Sequence, residues 1–244
     1  MTKFRGVGAV LVLACCLLGG CSSQQVGGLA PIAQQQPSNA VRPAQVMYEG
    51  QQSSRRGNRA QENAQVGVFD FYLLTLSWSP EYCATHTDPA ECATHPTFVL
   101  HGLWPENTDG TYPENCSNAA GPANPGQYKD IYPDQSLLAH EWKTHGTCSG
   151  LAPDAYFQAE RKAFTAVKAP AQLASLTSTI SLTPAAILAD FTSANPADAS
   201  GDVVLACGNN QLTAIEVCLT KSLTATSCQG VKTCKANVVK ITPP

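Results

Sequence analysis

Phe98-Val99-Leu100-His101-Gly102-Leu103-Trp104-Pro105 and His140-Glu141-Trp142-Lys143-Thr144-His145-Gly146-Thr147-Cys148 are the stretches on which the reading of this 244-residue chain turns. They hold three of the five histidines, and each segment also carries a Trp and a Gly. Glu141 lies four residues before His145, and residues four apart share a helix face, so both can point into one cleft. His101 is expected to enter that cleft from a strand end. Two histidines and a glutamate suit several chemistries. A helical zinc site needs histidines four apart. His140 and His145 are five apart and fall on different faces of a regular helix, so zinc would need His101 as well and an irregular helix. A cysteine nucleophile would be Cys148, which in an oxidising compartment is a disulfide partner. General acid–base catalysis by an imidazole pair near neutral pH is the favoured chemistry. It requires no metal and no cofactor.

Working outward, Phe69–Leu76 is aromatic and β-rich and is followed by Pro80, which predicts a buried central strand. Thr97–Leu100 predicts a second, short strand running into His101. Residues Gly102 to Lys129 are rich in Gly, Pro and Asn and predict a long surface loop of a functional kind. Asp134 caps a helix over Gln135–His145. Pro153-Asp154 opens another through about Lys168, with Tyr156, Phe157, Phe164 and Val167 on its apolar side. Thr183-Pro184 is an N-cap and first-position pair for a third, ending near Ala194. Val203–Cys207 and Leu212–Leu219, joined by Gly208-Asn209-Asn210, predict a hairpin, and Ala236–Ile241 a last strand. Strands at both ends with helices between indicate an α+β fold.

The N-terminus reads as targeting, not fold. Lys3 and Arg5 precede an apolar or small run, Gly6 to Leu18, that is short for a membrane span. Leu18-Gly19-Gly20-Cys21 resembles a bacterial lipoprotein signal. Residues 1–20 are then a signal peptide, with lipid on Cys21. The alternative is an ordinary secretory signal cut elsewhere. Cysteine arithmetic favours the lipid. Of eleven cysteines, Cys15 and Cys16 leave with the signal and Cys21 carries the anchor, so an even eight remain, as a disulfide framework requires. The expected location is the periplasm or cell envelope, on the membrane through Cys21, with secretion as the outcome if the lipid reading fails. Residues 21–65 are polar and aperiodic and read as a disordered tether. Arg55, Arg56 and Arg59 within it read as solvated. The domain spans 66–244. With 43% hydrophobic and 14% charged residues over the chain, it is long enough to bury a core. Without the signal, 13 basic face 18 acidic residues, a net of −5. That excludes a broad basic field for nucleic acid but leaves room for a local cationic site. Nothing in the sequence indicates an oligomer, so a monomer is expected.

The two histidine segments resemble the active-site signatures of the ribonuclease T2 family in order and spacing. The resemblance extends to Trp78-Ser79-Pro80, Cys83, Cys116 and the C-terminal cysteines, and covers roughly Val66 to the end. It implies an α+β fold with a central antiparallel sheet, packed helices and disulfides. It also implies metal-free cleavage of single-stranded RNA through a 2′,3′-cyclic phosphate, with DNA excluded because it lacks the 2′-hydroxyl. By the same resemblance His145 is the base, His101 the acid, His140 a phosphate contact, and Glu141 a support for the developing charge. Trp104 and Tyr112, both placed on the loop after His101, match positions that stack on a base, and Glu106 one that accepts from a base edge. Trp104 has a second reading as a core anchor. Trp142 reads as core, and His86 and His95 as surface. Spacing leaves the disulfide connectivity open; the resemblance implies Cys116–Cys148 and Cys207–Cys234 enclosing Cys218–Cys228, with Cys83–Cys92 remaining. One departure stands out: Thr144 occupies a place where the family commonly has Lys, with Lys143 one residue earlier. A non-catalytic RNA-binding or envelope protein on the same scaffold is the rival reading.

Overall fold

The computed structural model describes residues 60–93, 97–198 and 201–244. The signal, Cys21 and His95 lie outside them. The strands are β1 (Ala60–Glu62), β2 (Phe71–Trp78), β3 (Phe98–Glu106), β4 (Tyr112–Glu114), β5 (Ile180–Leu182), β6 (Val203–Gly208), β7 (Gln211–Leu219) and β8 (Val239–Ile241). The helices are α1 (Ser79–Cys83), α2 (Pro89–Cys92), α3 (Gln135–Thr144), α4 (Pro153–Ala166), α5 (Ala171–Ala174) and α6 (Pro184–Ala194). Six strands form the main sheet in the order β3-β2-β7-β8-β5, with β6 also paired to β7. The pairs β3–β2, β2–β7, β6–β7 and β5–β8 are antiparallel. β8 meets β7 in parallel at Gln211 and Lys240. β1 and β4 form a separate parallel pair.

β2 is buried along its whole length, and its period-2 alternation divides the molecule. Tyr72, Leu74, Leu76 and Trp78 face the main core with Leu103 of β3, Ile215 and Val217 of β7, and the helices that pack there through Leu138, Trp142, Tyr156, Phe157 and Phe191. Each such side chain removed from water contributes about 1.5–3 kcal/mol. The opposite face carries Phe71 and Leu73 with Trp104, Val204, Cys218 and Cys228. It also carries Thr75 and Ser77, both buried. That second face holds the candidate site.

The helix starts follow the capping residues. Asp134 accepts from Ser136 N–H at 2.8 Å, and Thr183 from Ala186 N–H at 3.2 Å with Pro184 behind it. The hairpin turn places Asn209 and Asn210 at φ 51° and 61°, the left-handed pair that a two-residue β-turn needs. The disulfides are Cys83–Cys92, Cys116–Cys148, Cys207–Cys234 and Cys218–Cys228.

Three sequence expectations need correction. β3 does not stop at Leu100 but runs through His101 to Glu106, so the expected loop begins later and is interrupted by β4. An edge strand tolerates Pro105 and a bulge, and β3 has both. The tether does not reach residue 65 without structure, because Ala60–Glu62 pairs with Tyr112–Glu114. The helix expected to include His145 ends at Thr144. The short α1, α2, α5 and β5 fall below the length at which periodicity speaks.

Candidate active site

A β-bulge builds the first half of the site. Thr75 pairs with Gly102, and Leu76 with Leu100, so His101 has no opposite number on β2. An extra residue shifts the alternation and re-aims a side chain. In a regular strand His101 and Trp104 would point to opposite faces. Across the bulge they share one, and their rings meet edge-on with centroids 5.1 Å apart. Gly102 between them leaves the space that Glu141 fills; a β-carbon there would fall on the Glu141 carboxylate and the Trp104 indole.

The second half comes from the end of α3. His145 is the helix C-cap at φ −111°, its N–H still bonded to the Glu141 carbonyl at 3.0 Å. Glu141 is fully buried. The Trp104 indole N–H donates to its Oε2 at 2.7 Å, and His101 Nε2 lies 3.6 Å from its Oε1. The second distance is an ion-pair contact, too long for a hydrogen bond. Ser77 Oγ lies 3.2 Å from His101 Nδ1. Trp104 also packs on His145, centroids 5.0 Å apart. Only 4% of His101 and 6% of His145 is exposed, so the imidazoles are held by packing and not by solvent. Thr144 Oγ1 lies 3.1 Å from His140 Nε2, on the half-buried rim.

His101, Glu141 and His145 therefore converge as the sequence predicted. His140 and His145, expected on different faces, converge too: donor atoms of His140, Glu141 and His145 lie within 4.8 Å of one another. The 100°-per-residue argument fails because His145 has left the helix. Trp104, Glu106 and Tyr112 lie in strands and not on an open loop, and all three are buried. Trp104 packs on both imidazoles. Lys143 is exposed. Trp142 is core, its indole N–H bonded to the Ala119 carbonyl at 2.8 Å. His86 is half-buried, stacked on Tyr82 with centroids 4.3 Å apart.

Sequence reasoning missed Ser77, Tyr132, Tyr156 and Glu160. Glu160 was detectable: with Tyr156 and Ala163 it lies on the buried stripe of α4, where a carboxylate needs a reason.

A family model described as the Ribonuclease T2 family matches residues 69–228. The chain belongs to the ribonuclease T2 family. Ribonuclease DdI of Dictyostelium discoideum is 31% identical over 189 residues, covering 70% of this chain and 83% of that protein. A ribonuclease of Aeromonas hydrophila is 43% identical over 100 residues, covering 40% and 46%. A probable ribonuclease of Haemophilus influenzae is 34% identical over 137 residues, covering 48% and 50%. The chain thus spans about half the length of these two bacterial relatives. Among solved structures, the T2 chain is similar in fold to an RNase-related protein from Calystegia sepium, with TM-score 0.59, 22% identity and coverage of 72% and 97%. Ribonuclease MC1 from bitter gourd seeds gives TM-score 0.59, 21% identity and coverage of 70% and 99%.

Proposed function

We propose that this T2-family chain is an endoribonuclease that cleaves single-stranded RNA by transphosphorylation, with His145 as general base and His101 as general acid and no metal in the reaction. The observation that carries the reading is the pair of buried imidazoles that both pack on one indole, with a buried glutamate bonded to that indole. The 2′-hydroxyl loses its proton to His145, and its oxygen bonds to the adjacent phosphorus. The bond from phosphorus to the 5′-oxygen breaks as His101 protonates that oxygen. The products are a 2′,3′-cyclic phosphate end and a free 5′-hydroxyl. Two groups on two sides in opposite protonation states are what this in-line reaction needs, and each transfer is typically worth about 10²- to 10⁴-fold. Glu141 pairs with the His101 imidazolium, the form an acid requires, and its charge, held in place by Trp104, costs no reorganisation during reaction. His140 contacts the phosphate. Glu106 and Tyr112 face the base. DNA has no nucleophile for this route.

We further propose that the chain works in an oxidising envelope compartment as a monomer, anchored through lipid on Cys21. The four disulfides support export. Among the described residues no helix is long and apolar enough to cross a membrane.

Cleavage of a short RNA beside its DNA counterpart, with and without EDTA, tests the reading. RNA-only cleavage in EDTA, a bell-shaped pH profile and cyclic-phosphate ends are expected, with loss of cleavage in His101→Ala and in His145→Ala. Loss of cleavage in chelator alone would turn the His140–Glu141–His145 cluster into a metal site. No cleavage by folded protein would favour an RNA-binding role.

A further inference from the structure

β3 lies at an edge of the main sheet, with β2 on one side only. The backbone groups that another strand would take are taken by three side chains. The Tyr132 hydroxyl donates to the His101 carbonyl at 3.1 Å, and the Tyr156 hydroxyl to the Leu103 carbonyl at 2.9 Å. Glu160 Oε1 accepts from Leu103 N–H at 3.2 Å. All three residues are completely buried. They come from the segment before α3 and from α4, and they grip the strand on both sides of Gly102.

We propose that Glu160, with Tyr132 and Tyr156, is the positioning device that holds the β3 bulge and so aims His101. It rests on the acid role proposed for His101. A bulge gives up ladder hydrogen bonds, and its shape persists only where something else takes those groups. Here the carbonyl of the bulged residue itself is held by Tyr132.

Each phenol has one hydrogen, and both are given to strand carbonyls. Glu160 Oε1 holds Leu103 N–H, and its Oε2 is buried with no hydrogen-bond partner among the described residues. Burial pushes Glu160 up to about 8, against smaller lowering effects of Tyr156, Tyr132 and Leu103 N–H. The other ionisable groups that act on this cluster are Tyr72 from β2 and Glu141 from α3. All are acidic, so none stabilises a second negative charge. The neutral acid is the working form at neutral pH. As pH rises past about 8, Glu160 ionises, and the buried carboxylate competes with the strand carbonyls for the Tyr132 and Tyr156 hydrogens. A strand carbonyl is released and the bulge loosens.

The test uses wild type, Glu160→Gln, Glu160→Leu and Tyr132→Phe. Steady-state cleavage of a short single-stranded RNA is followed from about pH 6 to about 9.5, beside an NMR titration of the His101 imidazole. Glu160→Gln, which stays neutral at every pH and keeps an acceptor for Leu103 N–H, is expected to keep kcat at neutrality. The ratio of wild-type to Glu160→Gln kcat should be level there and drop above about pH 8, over and above the alkaline fall that the His101 acid gives both. Tyr132→Phe and Glu160→Leu are expected to lower kcat about ten- to a hundredfold with KM unchanged, and to move the His101 titration. Folded Tyr132→Phe with wild-type kcat and a wild-type His101 titration would overturn the proposal, as would a ratio of wild-type to Glu160→Gln kcat that stays level to about pH 9.5. Should Glu160→Leu not fold, the other two variants decide. Should wild type cleave no RNA, the functional reading fails, and the His101 titration across the variants still decides the positioning role.

Discussion

Two edge strands of the sheet, β3 and β6, each pair with another strand on one side only, and their other sides are covered by different means. At β6 the cover is the chain itself. Leu205 N–H donates to Thr233 Oγ1 at 3.3 Å, and its carbonyl accepts from Cys234 N–H at 2.7 Å. The Cys207–Cys234 disulfide fastens that segment in place, and Cys218–Cys228 ties the next loop to β7. At β3 the cover is three buried side chains from 31 to 57 residues further along the chain. A cover made of one backbone amide and one hydroxyl, closed by a covalent bond, is indifferent to protonation and tolerant of small shifts. A side-chain cover can be tuned residue by residue, and it fixes the backbone at the bulge from which His101 projects. One edge is built for stability and the other for geometry, so damage to each has a different readout.

The largest effect is expected at the geometric edge. Gly102→Ala puts a β-carbon onto the Glu141 carboxylate and the Trp104 indole, both buried. Overpacking of this kind costs about 1–3 kcal/mol of stability. The misplacement of Glu141 and His101 is expected to lower RNA cleavage by about 10²-fold or more. Chemical denaturation and single-turnover cleavage on the same preparation separate the two. Wild-type cleavage by Gly102→Ala would mean that the bulge has more slack than its packing indicates.

At the other edge the expectation reverses. The double variant Cys207→Ala/Cys234→Ala, which leaves no stray thiol at the site, should lose about 2–4 kcal/mol of stability while kcat at room temperature stays as in wild type. A matching fall in kcat would show that the two edges are mechanically coupled through β7 and β2, and that the division between them is false.

The same division governs how far the sequence could be read. The β6–β7 hairpin is legible because its cover is local: alternating β-formers, an Asn-Asn turn and cysteines close by. The caps of α3 and α6 are legible for the same reason, since Asp134 and Thr183 act within three residues. β3 reads as a strand only to Leu100, because His101, Gly102 and Pro105 are loop-type residues. What keeps them in a strand is the ladder to β2 on one side and the contacts of Tyr132, Tyr156 and Glu160 on the other, which no window along the chain contains. His101, Glu141 and His145 were legible from residue type and grouping. The approach of His140 to His145 was not, because helical geometry was carried one residue past the point where α3 ends. The same early end to β3 puts Trp104 on the loop, while its base-stacking role rests on the resemblance.

Thr144 carries the smallest expected effect, and it bears on the helix side of the site. Its Oγ1 holds His140 Nε2 at 3.1 Å, so it is a partner of the proposed phosphate contact and not merely a missing cation. Thr144→Lys adds a charge beside the phosphate but removes that hold. The position is half-buried on the rim, next to an exposed Lys143, so little stability should change. If charge dominates, kcat/KM should rise a few-fold at low salt, and the gain should shrink as ionic strength screens it. If the hold on His140 dominates, kcat/KM should fall at every salt concentration, and Thr144→Val, which keeps the shape and removes the hydroxyl, should fall with it. The pair of variants therefore distinguishes electrostatic attraction from orientation at the position where the resemblance leads one to expect Lys. The first outcome would make the helix side of the site a place where charge is added freely, and the second would make it as dependent on fixed geometry as β3.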